Sequence, residues 1–61
     1  MTLVFLLDNT GEVNLAIDEV INSGLIYGCE IVPVTYGIIE ASLKCDPSDA
    51  ASIENILAPV M

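Results

Sequence analysis

Two hydrophobic periodicities follow one another along this 61-residue chain. Thr2 to Leu7 (TLVFLL) is a continuous apolar run with β-branched and aromatic members, and it stops at Asp8-Asn9-Thr10-Gly11. A short run of that kind, closed by turn-forming residues, predicts a buried strand followed by a turn. The period then changes. Val13, Ala16, Ile17, Val20 and Ile21 recur at the spacing of one helical face, while Asn14, Asp18, Glu19 and Asn22 fall on the other side. Asn9 with Glu12 three residues later matches a capping box, which places the helix start there. Gly24 suits the residue just past the helix end, where the backbone turns left-handed.

The period returns to two after Gly28. Ile39, Ala41, Leu43 and Cys45 alternate with Glu40, Ser42 and Lys44, so Cys29 to Cys45 predicts a β-hairpin turning near Tyr36-Gly37. A three-residue Thr35-Tyr36-Gly37 loop with Gly37 left-handed is a favoured connection. That register sets Cys29, Ile31 and Pro33 on the face of Ile39, Ala41 and Leu43. A slip of one residue would undo the match. Pro33 cannot donate to a ladder, so the first arm is expected at a sheet edge.

Asp46-Pro47-Ser48-Asp49 opens a second helix. Asp46 is placed to cap, Pro47 fits the first helical position, and Asp49 complements the helix dipole. Ala50, Ile53, Ile56 and Leu57 make the buried stripe, and Pro59 stops the helix near Ala58. The order is β-α-β-β-α: an α+β two-layer sandwich in one domain spanning residues 1–61, with both helices on one sheet face. It is the ferredoxin-like pattern halted one strand early. Without the final strand, Thr2 to Leu7 becomes an open, uncharged, apolar edge of the kind natural sheets avoid. The expected remedy is a strand from another chain, most simply the same strand of a twofold mate.

Charge narrows the chemistry. Nine carboxylates face one basic side chain, Lys44, with no Arg and no His, for a net charge of −8. Such a chain repels nucleic acids and anionic membranes and favours basic partners. The usual bases, phosphate clamps and oxyanion donors are nearly absent. A hydrophobic fraction of 54% and a mean hydropathy of +0.73 exceed what so small a domain can bury, which points to an apolar patch covered by another chain. No run reaches the roughly 18 residues a membrane span needs, and Met1 to Leu7 lacks the basic start of a signal peptide. Two cysteines, Cys29 and Cys45, do not make a disulfide framework. The expectation is a cytoplasmic protein with free buried thiols.

The segment Asp8-Asn9-Thr10-Gly11, followed by Val13 and by a helix leaving through Ser23-Gly24-Leu25-Ile26, resembles the ACT domains, small ferredoxin-like modules that sense amino acids and other metabolites. The resemblance covers most of the chain in layout and is specific at only a handful of positions. It implies a ligand near Asp8, Asn9, Thr10, Gly11 and Val13, at an interface between two modules. Asp8-Asn9-Thr10-Gly11-Glu12 also looks like the metal-binding Asp-Asn-x-Gly-Glu stretch of a family of metal-dependent carbohydrate-phosphate phosphatases, whose other ligand segments have no counterpart here. An aspartyl-nucleophile phosphatase of the haloacid-dehalogenase type would need a second Asp where Thr10 stands. The favoured reading of the stretch is a strand-to-helix turn in which Asp8 and Asn9 bond local backbone amides.

The remaining carboxylates lack calcium-loop spacing and read as solvated helix faces. Neither a metal nor a cofactor is expected. The function that follows is a non-catalytic acidic binding protein, inhibitor- or antitoxin-like. It would associate through Thr2, Val4 and Leu6 on the first strand and offer Asp18, Glu19, Asp46, Asp49 and Glu54, with Tyr36 at the hairpin tip, to a basic protein. The alternatives are an ACT-like metabolite sensor and a structural subunit of a larger complex.

Overall fold

A computed structural model describes all residues, 1–61. Three strands and two helices follow in the expected order: β1 (Thr2–Asp8), α1 (Gly11–Ser23), β2 (Ile26–Thr35), β3 (Ile38–Cys45) and α2 (Ala50–Leu57). Single 3₁₀ turns precede and follow α2, at Pro47–Asp49 and Ala58–Val60. The sheet order is β1-β3-β2, with both neighbouring pairs antiparallel. This is consistent with a ferredoxin-like arrangement lacking its last strand. β3 is central, and both β1 and β2 are edges.

The core shows which face the helices cover. The eleven buried residues are Leu7 of β1, four alternate residues of β3 (Ile39, Ala41, Leu43, Cys45), four of α1 (Val13, Ala16, Ile17, Val20) and two of α2 (Ile53, Leu57). Every one is apolar, and the strand members share one parity, so both helices lie on one side of the sheet. Leu3 and Phe5 of β1 pack half-buried against the same cluster. The opposite parity, including Thr2, Val4 and Leu6, looks into solvent.

The hairpin register is the one the alternation predicts. Cys29 pairs with Leu43, Ile31 with Ala41 and Pro33 with Ile39, and Gly37 sits at φ 75°. β2 begins earlier than expected, at Ile26, because an irregularity between Ile26 and Gly28 carries the ladder through the break in period.

The helix termini depart from expectation in two places. Thr10, not Asn9, caps α1: its Oγ1 accepts the Val13 N–H at 3.2 Å. The Asn9 N–H is already committed, donating at 2.8 Å to the Gly37 carbonyl at the hairpin turn, so the chain leaves the sheet one residue later. Glu12 then falls one position short of a capping-box partner. Asp46 occupies the cap position before Pro47 without a side-chain hydrogen bond; its carbonyl accepts the Asp49 N–H at 2.9 Å instead. Gly24 ends α1 at φ 77°, as read from the sequence. Ile21 is 45% exposed, because it lies about 80° round the helix from Val13 at 3.6 residues per turn, on the flank of the stripe.

Candidate functional site

Backbone parity makes β1 a distinctive surface. At its ends the Met1 carbonyl accepts the Cys45 N–H at 2.9 Å and the Asn9 N–H reaches the Gly37 carbonyl. Ladder groups alternate along an antiparallel strand, so odd residues bond to β3. Thr2, Val4, Leu6 and Asp8 therefore direct N–H and C=O groups outward, along an edge with no Pro, Gly, Lys or bulge from Thr2 to Leu7. Val4 and Leu6 also expose 57% and 67% of their side chains on the bare face. The three strand residues expected to meet a partner are thus brought together.

The other edge is built differently. On β2, Gly28, Glu30 and Val32 bond to β3, and Cys29, Ile31 and Pro33 point outward. Pro33 thus loses no ladder bond, which explains its place there, and it removes the donor from that position of the outer edge. Irregularities at both ends of β2 interrupt the edge further.

The acidic residues divide by face. Glu12, Asp18 and Glu19 on α1, Glu54 on α2, and Asp46 and Asp49 in the turn leading into α2 all lie outside the core, with Asp49 partly covered. Lys44, the one basic side chain, belongs to the opposite parity of β3, together with Glu40 and across from Gly28. It stands on the bare face, away from the helices. Tyr36 is fully exposed at the hairpin tip and does not pack over Pro33.

The turn between β1 and α1 keeps Asp8, Asn9, Thr10, Gly11 and Glu12 exposed. Its side-chain hydrogen bond is the Thr10 cap; Asp8 and Asn9 do not bond backbone amides through their side chains. Val13 faces inward at 2% exposure, and its N–H is taken by Thr10. It therefore offers a ligand neither side chain nor amide.

Gly28 is a feature that sequence reasoning passed over. A Cβ there would stand 3.2 Å from Lys44 Cδ, so the bare backbone lets the lysine stem lie across the strand. The result is an open depression of about 210 Å³ lined by Gly28, Cys29, Glu30, Ser42 and Lys44. The signal was available, since glycine within a strand often marks a close approach. Cys29 and Cys45 are both free, Cys29 exposed and Cys45 buried, so the expectation of burial holds for Cys45 alone. Partial burial pushes the Cys29 thiol above its ordinary value.

No helix is long and apolar enough to cross a membrane. Compared with known proteins, the chain matches no family model, and neither the curated proteins nor the solved structures give a significant match.

Proposed function

We propose that this chain is a non-catalytic acidic binding module that docks a basic protein on its helical layer, in the manner of a small inhibitor or antitoxin. The observation that carries this reading is the segregation of charge. The carboxylates of α1, α2 and the turn into α2 have no cationic side chain on their own face, because Lys44 stands on the other side of the sheet. An uncompensated field of one sign speeds encounter with the opposite sign and rejects like-charged surfaces.

The test compares faces. Titrating a panel of basic proteins and Lys/Arg-rich peptides, binding should weaken at least about tenfold in the triple variant Asp18→Asn, Glu19→Gln, Glu54→Gln. The bare-face pair Glu30→Gln, Glu40→Gln should leave it nearly unchanged. Equal losses from both sets would mean non-specific charge attraction and would defeat the proposal.

A second reading concerns the β1–α1 turn. Asp8, Asn9 and Glu12 are exposed there and outside the chain's internal side-chain hydrogen bonds. The ACT-like resemblance implies an amino acid or similar metabolite at this turn. Thermal unfolding with free amino acids tests it. A ligand that binds the native state raises Tm, and Asp8→Asn should remove the rise. No shift with any amino acid ends this reading.

A further inference from the structure

We propose that the open edge of β1 pairs antiparallel with β1 of a second copy, about a twofold axis beside Phe5, to give a continuous six-stranded sheet. Three observations lead there. First, the occupant must be an extended strand, because Thr2, Val4, Leu6 and Asp8 turn unpaired N–H and C=O groups outward in ladder register. Second, the structure distinguishes its two edges. β2 is interrupted by Pro33 and by irregularities at both ends, whereas β1 has no such protection over its apolar length.

Third, β1 matches its own reverse. Only pairings that set even residues against even residues satisfy the outward groups. Among these, the one that sets Thr2 opposite Asp8 of the partner subunit uses all seven residues and closes about eight backbone hydrogen bonds. In that register Val4 meets Leu6 of the partner subunit on the bare face. Leu3 meets Leu7 of the partner subunit on the helical face, and Phe5 meets Phe5 of the partner subunit across a non-hydrogen-bonded site, where side chains come closest. Leu3 and Phe5 are half-buried in the single chain and would gain cover. The one charged residue of the strand, Asp8, falls at the ends of the ribbon, opposite a threonine and far from its symmetry mate. A basic strand would find no carboxylate along this edge before Asp8, so the edge selects an uncharged, alternating occupant.

This pairing does not depend on the basic-partner reading, which uses the helical face. Sedimentation equilibrium at tens to hundreds of micromolar should give twice the 6.5 kDa chain mass. Val4→Glu, which adds like charge beside the centre of the ribbon at an exposed position, should weaken the dimer roughly tenfold or more; Val32→Glu on β2 should not. In a Cys29→Ser background, equimolar Val4→Cys and Leu6→Cys chains should form the mixed disulfide in preference to either homodimer. A single-chain mass at every concentration and salt level overturns the proposal. So does a dimer that Val32→Glu dissociates and Val4→Glu does not, or a Val4→Cys homodimer that outcompetes the mixed species.

Discussion

Thr10 shows how one hydrogen bond elsewhere relocates a cap. Asn9 and Thr10 are both competent caps, and the chain commits to Thr10 because the Asn9 backbone is tied to Gly37. Local sequence does not contain that tertiary bond, so the capping position could not be read from it. Thr10→Ala should then cost about 1 kcal/mol, while Asn9→Ala and Asp46→Ala should each stay within about 0.5 kcal/mol. Urea unfolding of the three variants checks this, and a loss at Asn9 equal to that at Thr10 would contradict the assigned cap. The two thiols make a second contrast at this scale. Cys29 should react with a thiol reagent in the folded protein, more slowly than free cysteine because its pKa is raised, and Cys45 only on unfolding. One labelled thiol in buffer and two in denaturant is the expected count.

Among the elements, α1 and the hairpin register were legible, and for the same reason: a buried face imposes its period on the sequence. Val13, Ala16, Ile17 and Val20 carry the helical period, and Ile39, Ala41, Leu43 and Cys45 carry the strand period. β2 was less legible because little of it is buried. Its residues from Cys29 to Thr35 are all exposed, so no core selects their alternation, and Gly28 masks the true start at Ile26. The turn was legible because Gly37 is the residue its backbone demands. At φ 75° with open space around it, Gly37→Ala meets no clash but must hold a left-handed conformation, which should cost about 1–2 kcal/mol. Gly28→Ala has ordinary backbone geometry and crowds only the flexible stem of Lys44, so it should cost less. The reverse ranking in urea would mean that the Lys44 stem is held rigidly over the strand. At the centre of the sheet, the fully buried Leu43 sets the upper end of the scale: Leu43→Ala should cost about 2–5 kcal/mol.

The whole molecule is as compact as its mass predicts. It exposes 3821 Å², matching the roughly 3,800 Å² expected of a folded 6.5 kDa monomer. What is unusual is where apolar and charged groups fall: Val4 and Leu6 along an unpaired edge, carboxylates over the helices, and the one basic side chain on the opposite face. The candidate site was legible only in part. The edge followed from element order, but which backbone groups it presents depends on the pairing with β3. The separation of Lys44 from the helical carboxylates depends on strand parity relative to the core. The two proposed associations should respond to salt with opposite signs. Joining two chains of net charge −8 opposes like charges, so raising NaCl from about 0.05 to about 0.5 M, which shortens the Debye length from over 10 Å to under 5 Å, should strengthen self-association. The same change should weaken a complex with a basic protein, by screening the attraction that forms it. Measuring both equilibria across one salt series therefore tests each surface separately. Self-association that weakens with salt would show attraction between unlike charges at the interface, which the paired strand residues Thr2 to Asp8, with Asp8 their one charged side chain, do not supply. A basic-partner complex indifferent to salt would remove the carboxylates of the helical layer from the interaction.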